Sequence, residues 1–303
     1  MKILLTGPTG FIGSAFLEIA LAQGHEIAAL VRPEKLAVAG LRSDARLTWL
    51  PGTLVDAPWD NLKRFQPELC LHSAWLTTPG VYLESPENQR FLEWSFDFLR
   101  RVGATGTRHI IVLGTCLEYQ SSRHPLAEEQ TPVAPGSPYA LCKNALRIAL
   151  ESEAAARGFG LGWGRVFYPY GPREHPLRLC SSLLQSLRRG EKIVLRTPGS
   201  IKDYIYIDDL AAGLLTVAEN RFCGAINLGT GVGVSVREVA ETLARLLGKS
   251  GVVEPAEAAA TPAENPVVAE VAKLRGLGWR PQHTLAAGLE KMLTAVNVPT
   301  CPC

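Results

Sequence analysis

Thr6-Gly7-Pro8-Thr9-Gly10-Phe11-Ile12-Gly13 follows the apolar run Ile3-Leu4-Leu5 and opens a stretch of helical periodicity that reaches about Gln23. Glycines at a strand-to-helix turn let the backbone come close to an anion. The helix N-terminus that follows offers N–H groups and the positive end of its dipole. In this setting Gly7, Thr9, Gly10, Phe11, Ile12 and Gly13 read as a cradle for the pyrophosphate of a dinucleotide. An ordinary glycine-rich turn is the competing reading, and the position directly after the first strand weighs against it.

Outward from this turn, apolar runs alternate with helical segments. Strands are expected at Glu26 to Val31, Leu47 to Pro51, Leu69 to His72, His109 to Leu113 and Leu161 to Phe167. That alternation predicts the α/β class, a Rossmann doubly wound parallel sheet, with ligands bound beyond the carboxyl ends of the strands. After Pro169 the pattern loosens into short strands at Lys192 to Leu195 and Ala225 to Leu228 and helices near Leu179 to Arg189 and Val236 to Leu247. We therefore expect residues 1–167, with about 201–222, to form the dinucleotide-binding domain. Residues 168–200 and 223–303 would form a smaller mixed substrate domain, with a surface loop from Glu254 to Pro266.

Composition narrows the classes of function. Of 303 residues 47% are apolar, enough for a large core and against a disordered chain. Lys plus Arg number 31 against 29 Asp plus Glu, and no dense basic stripe is present, so nucleic acid is not an expected partner. Apolar stretches such as Leu210 to Ala218 are too short to span a bilayer, and Met1-Lys2 runs into a strand without a leader-like apolar region, so a cytoplasmic protein with no membrane partner is expected. The seven cysteines are odd in number and lack CxxC spacing, which favours reduced thiols and no metal site. The closing Cys301-Pro302-Cys303 reads as a frayed tail.

Tyr139 and Lys143 stand four apart in a segment with helical periodicity to about Arg157, so phenol and ammonium share one helix face. A neighbouring cation favours the phenolate, which would make Tyr139 an acid and base well below its free pKa. Thr115, at the end of the strand Ile110 to Leu113, adds a hydroxyl where a reacting oxygen would lie. At the end of the second strand, Arg32 occupies the place where an NAD site usually has an acidic residue. It would pair with a 2′-phosphate, helped by Lys35, so NADP(H) is preferred and NAD(H) is the alternative. A solvated loop charge is the competing reading of Arg32.

Together with Leu71-His72-Ser73-Ala74, Gly114 to Tyr119, Arg165 to Pro172 ending in Tyr170-Gly171-Pro172, Asp203 to Asp209, Asn227-Leu228-Gly229-Thr230-Gly231 and Leu277-Gly278-Trp279-Arg280-Pro281, these motifs make the sequence resemble the extended short-chain dehydrogenase/reductases of the NAD-dependent epimerase/dehydratase family, over nearly the whole chain. The resemblance implies a Thr115, Tyr139, Lys143 triad, with Lys143 and Tyr139 also at the nicotinamide ribose. It implies further cofactor contacts at Leu54, Ser73, Ala74 and Trp75, a nucleotide-sugar substrate and a homodimer. His72 is expected to be structural. Trp75, at the mouth of the site, would be an apolar wall or a stacking platform.

Departures from the family pattern bear on the reaction. Family 4,6-dehydratases carry Asp and Glu where this chain has Cys116 and Leu117, and leucine cannot take a proton. Tyr168 stands where an Asn is frequent, Thr53 replaces an Asp of the adenine loop, and an Arg is missing near Thr261 to Glu264. Cys116, Glu118, Tyr168, His175 and Arg178 are candidate substrate contacts. For Cys116 the stronger reading is packing, and for Glu118 a loop partner. The reading that follows is an NADPH-dependent reductase of a nucleotide-linked 4-keto-6-deoxyhexose, with a sugar-nucleotide 4-epimerase or an unusual dehydratase as the enzyme alternatives. A non-enzymatic NADP-sensing protein is the alternative from another class, disfavoured because both Tyr139 and Lys143 are retained.

Overall fold

A computed structural model describes residues 1–36, 42–249, 251–255 and 265–295 of the chain. The first half runs β1 (Lys2–Thr6), α1 (Phe11–Ala22), β2 (Glu26–Val31), α2 (Pro33–Leu36), β3 (Leu47–Pro51), α3 (Trp59–Phe65), β4 (Leu69–His72), α4 (Glu87–Ala104), β5 (His109–Thr115), α5 (Pro138–Arg157) and β6 (Gly160–Val166). The second half runs β7 (Tyr168–Tyr170), α6 (Leu179–Arg188), β8 (Ile193–Leu195), β9 (Ile201–Lys202), β10 (Tyr204–Tyr206), α7 (Ile207–Glu219), β11 (Gly224–Leu228), β12 (Val234–Ser235), α8 (Val236–Leu246), β13 (Val253–Pro255), α9 (Ala272–Gly276) and α10 (Leu285–Ala295).

Seven strands form one parallel sheet in the order β11-β6-β5-β4-β1-β2-β3. Strand side chains alternate between faces, and here both faces are apolar. Ile3 and Leu5 of β1 and Ile111 and Leu113 of β5 join one core with Phe16, Leu17 and Leu21 of α1 and Leu210 and Leu214 of α7. Leu4, Ile110 and Val112 turn the other way, onto Phe98 and Leu99 of α4 and Leu146 and Leu150 of α5. Helix layers on both faces account for the near-continuous apolar runs of the sequence.

The order reverses at the β1/β4 boundary, so the turns after β1 and β4 part there and leave the crevice expected of a doubly wound sheet. Three small two-stranded sheets, β10 with β7, β12 with β9 and β13 with β8, belong to the chain after β6. One boundary differs from the sequence-based division. β11, assigned there to the substrate region, pairs in parallel with β6 from Gly224↔Gly162 to Leu228↔Val166 and forms the edge of the main sheet. Strand pairing is non-local, and periodicity within residues 224–228 carries no record of its neighbour.

Among the described residues no helix is long and apolar enough to cross a membrane, and no group of three or more His, Cys, Asp or Glu side chains is gathered for a metal ion. The five described cysteines are free thiols. The tail Cys301 to Cys303, most of the Glu254 to Pro266 loop and the Thr261 to Glu264 stretch lie outside the described residues.

Candidate active site

The crevice begins at the turn after β1. Gly7 has a φ of 68°, a conformation that disfavours any side chain, and a Cβ there would come within 2.8 Å of Ser73 Oγ and 3.0 Å of Ala74 N. A Cβ on Gly13 would collide with the Gly7 carbonyl oxygen. Gly10 N donates to Gly7 O at 3.1 Å and closes the turn, while Gly10 itself, as the N-cap of α1, offers no side chain to the helix's first N–H groups. Thr9 and Gly10 are exposed, and Phe11 and Ile12 half-buried. These features fit a dinucleotide pyrophosphate, because Gly7, Gly10 and Gly13 leave the backbone N–H groups at the start of α1 open to an anion. Ser73 forms the floor: its Oγ donates to Thr6 O at 2.7 Å, while Ala74 N donates to Thr6 Oγ1 at 3.3 Å.

At the end of β2, Arg32 is exposed and its guanidinium lies 3.4 Å from the Glu34 carboxylate. Sequence reading passed over Glu34, which places a carboxylate beside the proposed 2′-phosphate partner. Lys35 and, on the loop after β3, Leu54 are half-buried, the latter packed against the core under α4.

Thr115 closes β5, and Tyr139 and Lys143 lie on the first turns of α5, with Lys143 Nζ 5.9 Å from the Tyr139 ring centroid. Thr115 is the last residue of β5, where its Oγ accepts from Leu117 N at 3.2 Å, leaving the hydroxyl proton for an outside acceptor. α5 starts sharply because Ser137 Oγ accepts from Ala140 N at 3.3 Å and Pro138 sits in the first turn. One turn apart on its buried face, Tyr139 and Lys143 point toward β5. Lys143 Nζ donates to Leu113 O at 2.8 Å and stands 3.9 Å from the Trp75 ring centroid. The Tyr139 ring packs edge-on to Tyr82 at 4.8 Å and to Trp75 at 6.4 Å.

The electrostatics differ from the spacing argument. Burial pushes the Tyr139 phenol up, with Tyr82 and Glu118 acting the same way and Arg178 opposing. Burial also pulls the Lys143 ammonium down to about 7, against the Glu118 carboxylate. Spacing predicts the facing of the two groups but not their desolvation, which here disfavours both charged forms.

Two candidates from the sequence belong to the support rather than to the cleft. Glu118 is wholly buried and accepts from Thr115 N at 2.8 Å, from Trp163 Nε1 at 3.0 Å and from Arg165 Nε at 2.9 Å. It therefore holds the Thr115 backbone and neutralises Arg165, and cannot touch substrate. Cys116 is also buried, packed with Tyr119 and Phe167, and desolvation pushes its thiol up to about 12. Arg165 heads one of the family motifs but was given no role from the sequence, although a lone arginine inside the strand Gly160–Val166 signals a buried partner; its guanidinium lies 4.4 Å over the Tyr119 ring.

His72 is fully buried, 2.9 Å from Thr6 Oγ1 and 3.0 Å from Ser95 Oγ, and burial pulls it down to about 3, the structural histidine expected. Tyr168 is half-buried against Tyr204, with its N–H donating to Asp203 O. His175 Nδ1 accepts from Leu177 N at 3.2 Å and shapes its own loop. Arg178 reaches the site, with its guanidinium 6.0 Å over the Tyr82 ring. Tyr82 itself carried no signal in the sequence, because a loop aromatic has no periodicity to mark it.

This geometry matches known proteins. The model of the NAD dependent epimerase/dehydratase family fits residues 3–229. A UDP-glucose 4-epimerase of Corynebacterium glutamicum is 28% identical over 94% of this chain and 92% of its own length. A dTDP-glucose 4,6-dehydratase of Streptomyces antibioticus is 24% identical over 97% of this chain and 91% of its own. The crystal structure of Thermus thermophilus UDP-glucose 4-epimerase in complex with NAD superposes with a TM-score of 0.80 at 26% identity, covering 98% of this chain and 99% of that one. The family match spans three quarters of the sequence, and the chain belongs to the NAD dependent epimerase/dehydratase family.

Proposed function

We propose that this chain is an NAD(H)-dependent 4-epimerase of a nucleotide sugar. The observation that carries the reading is the turn after Thr115. Cys116 is buried with its thiol pushed up to about 12, and Leu117 has no proton to exchange, so nothing beside the triad supports an elimination. The groups that remain serve proton transfer at one sugar oxygen, which is what exchange between a hydroxyl and a carbonyl requires. Curated relatives named as UDP-glucose 4-epimerases lend support. The expected NADPH-dependent reductase leaned on Arg32 as a phosphate partner, and Arg32 is paired with Glu34. The likeness to an epimerase complexed with NAD supports NAD as the cofactor.

When bound in the cradle, NAD supplies a reversible hydride acceptor for the sugar carbon. Gly7, Gly10 and Gly13 would admit its pyrophosphate to the start of α1. Tyr139 takes the proton from the sugar hydroxyl and returns it, while Thr115 Oγ donates to the same oxygen and holds it in place. The Lys143 ammonium, fixed by the Leu113 carbonyl, favours the Tyr139 phenolate against the desolvation that opposes it. Arg178, near Tyr82, offers positive charge to the substrate side.

The test is incubation with NAD and UDP-glucose, UDP-galactose, UDP-N-acetylglucosamine or UDP-glucuronic acid, following sugar identity by chromatography and nicotinamide by absorbance. We expect one pair to approach the same mixture from either epimer with no net change in NADH. Stoichiometric loss of NADPH with a 4-keto-6-deoxy sugar nucleotide, and no epimer formed, would replace this reading with the reductase.

A further inference from the structure

We propose that Trp75 is a positioning residue whose indole face seats the Lys143 ammonium beside Tyr139, with Asn88 as its latch. The proposal rests on the dehydrogenase-type chemistry of the preceding section only for its effect on turnover; the seat itself is a property of the protein.

Trp75 lies just beyond β4, half-buried, with Lys143 Nζ 3.9 Å from its ring centroid. One of the three ammonium donors goes to Leu113 O, and the indole face covers the group from another side. A cation over a desolvated indole is favoured in its charged form, because the ring quadrupole presents its negative face. The seat is itself fixed. Trp75 Nε1 donates to Asn88 Oδ1 at 2.8 Å, and Asn88 is buried on α4. The amide can face only one way, since Asn88 Nδ2 is spent on the carbonyls of Tyr82 at 2.6 Å and Ser85 at 2.9 Å. Tyr139 N donates to Leu83 O at 3.0 Å, so the same loop is tied to the first turn of α5. Phe91, 5.7 Å from the indole, backs it on α4. Trp75 thus joins Asn88 of α4 to Lys143 of α5, and the loop that carries it is tied separately to both helices.

The charged and titratable groups around Lys143 are Glu118 in the turn after β5, His72 on β4 and Tyr139 on α5. Glu118 favours the ammonium and burial opposes it, with His72 held neutral. Removing the indole takes away one of the favourable influences, beside the Glu118 carboxylate and the Leu113 carbonyl, so the lysine should lose its proton at lower pH.

The experiment is titration of the Lys143 Nζ resonance in protein carrying ¹⁵N-lysine, assigned by its loss in Lys143→Arg, for the wild type, Trp75→Phe, Trp75→Leu and Asn88→Ala. It needs neither sugar nor cofactor. We expect the wild-type resonance to carry a ring-current displacement that Trp75→Leu abolishes, and the Leu variant to titrate about one pH unit lower. Trp75→Phe should stay near the wild type, and Asn88→Ala, which keeps the indole but frees it, should fall between. In turnover, Trp75→Leu should lower kcat more than it raises KM and shift the pH profile the same way, with Phe restoring most of both. An unchanged resonance and titration in folded Trp75→Leu would overturn the proposal. If that variant fails to fold, an Asn88→Ala titration identical to the wild type would overturn it. A shifted titration in a protein that epimerises none of the sugars would leave the seat standing and remove the epimerase reading.

Discussion

Two arginine–glutamate pairs flank the crevice and differ in nearly everything but their letters. Arg165 and Glu118 meet at 2.9 Å with side chains 2% and 0% exposed, beneath Thr115. Arg32 and Glu34 meet at 3.4 Å with side chains 62% and 63% exposed, beyond β2. Burial decides what each pair is for. The buried one cannot be opened without leaving a bare charge among Trp163, Tyr119 and the end of β5. The exposed one is screened by water and can be exchanged for a ligand. In the sequence both Arg32 and Glu118 stood out as candidate ligand contacts, because charge is visible in a sequence and solvent is not.

The largest effect expected is from Glu118→Ala. It removes the acceptor of Thr115 N, Trp163 Nε1 and Arg165 Nε at once, and should destabilise the fold by about 3–5 kcal/mol in chemical denaturation. A variant with the wild-type midpoint would mean that the buried pair is dispensable and the contrast between the two ends is false. Next comes Tyr139→Phe, which keeps the ring packing against Tyr82 and loses the proton-carrying oxygen. Turnover should fall by about 10² or more with NAD affinity and midpoint unchanged. Equal loss of stability and turnover would place Tyr139 with Glu118 in the support.

Much of the frame was legible in the residues. Glu26–Val31, Leu47–Pro51 and Leu69–His72 form strands over the very residues whose apolar run announced them, and α5 carries Tyr139 and Lys143 on one face as four-residue spacing requires. Local periodicity records such features. It does not record that Gly224–Leu228 sits beside Gly160–Val166, since that pairing is set by sequence-distant partners. Nor does it record that Trp75 and Tyr82, from the loop between β4 and α4, pack on Lys143 and Tyr139, with Arg178 from the start of α6 over Tyr82. The direction of the Tyr139 shift was missed for the same reason: the lysine one turn along the helix is readable and the depth of burial that pushes the phenol up is not.

Lys143 supplies a pH test of whether burial governs the catalytic end. Its pKa in the folded chain is lowered from 10.5 to about 7, so between those values the unfolded chain binds the proton that the folded chain releases. Stability should therefore rise as pH climbs from about 7 toward 10.5. Lys143→Met should flatten that rise, measured as denaturation midpoints across the window. A slope that Lys143→Met leaves unchanged would mean that Glu118 and Trp75 offset desolvation and hold the ammonium at its ordinary pKa.

The smallest effect belongs to the exposed pair. Arg32→Ala should change stability by at most about 1 kcal/mol and NAD affinity by roughly threefold or less, because a solvated ion pair exchanges its partner for water at little cost. The informative measurement is the ratio of NADPH to NADH affinity in the wild type, in Arg32→Ala and in Glu34→Ala. If Glu34 occupies the guanidinium and repels a 2′-phosphate, the wild type should favour NADH, and Glu34→Ala should move the ratio toward NADPH while Arg32→Ala does not. If instead Arg32→Ala alone collapses a strong wild-type preference for NADPH, the guanidinium leaves Glu34 for the phosphate. The exposed pair would then be the cofactor-selecting switch that its place after β2 first indicated, and the two ends of the crevice would differ in burial without differing in importance.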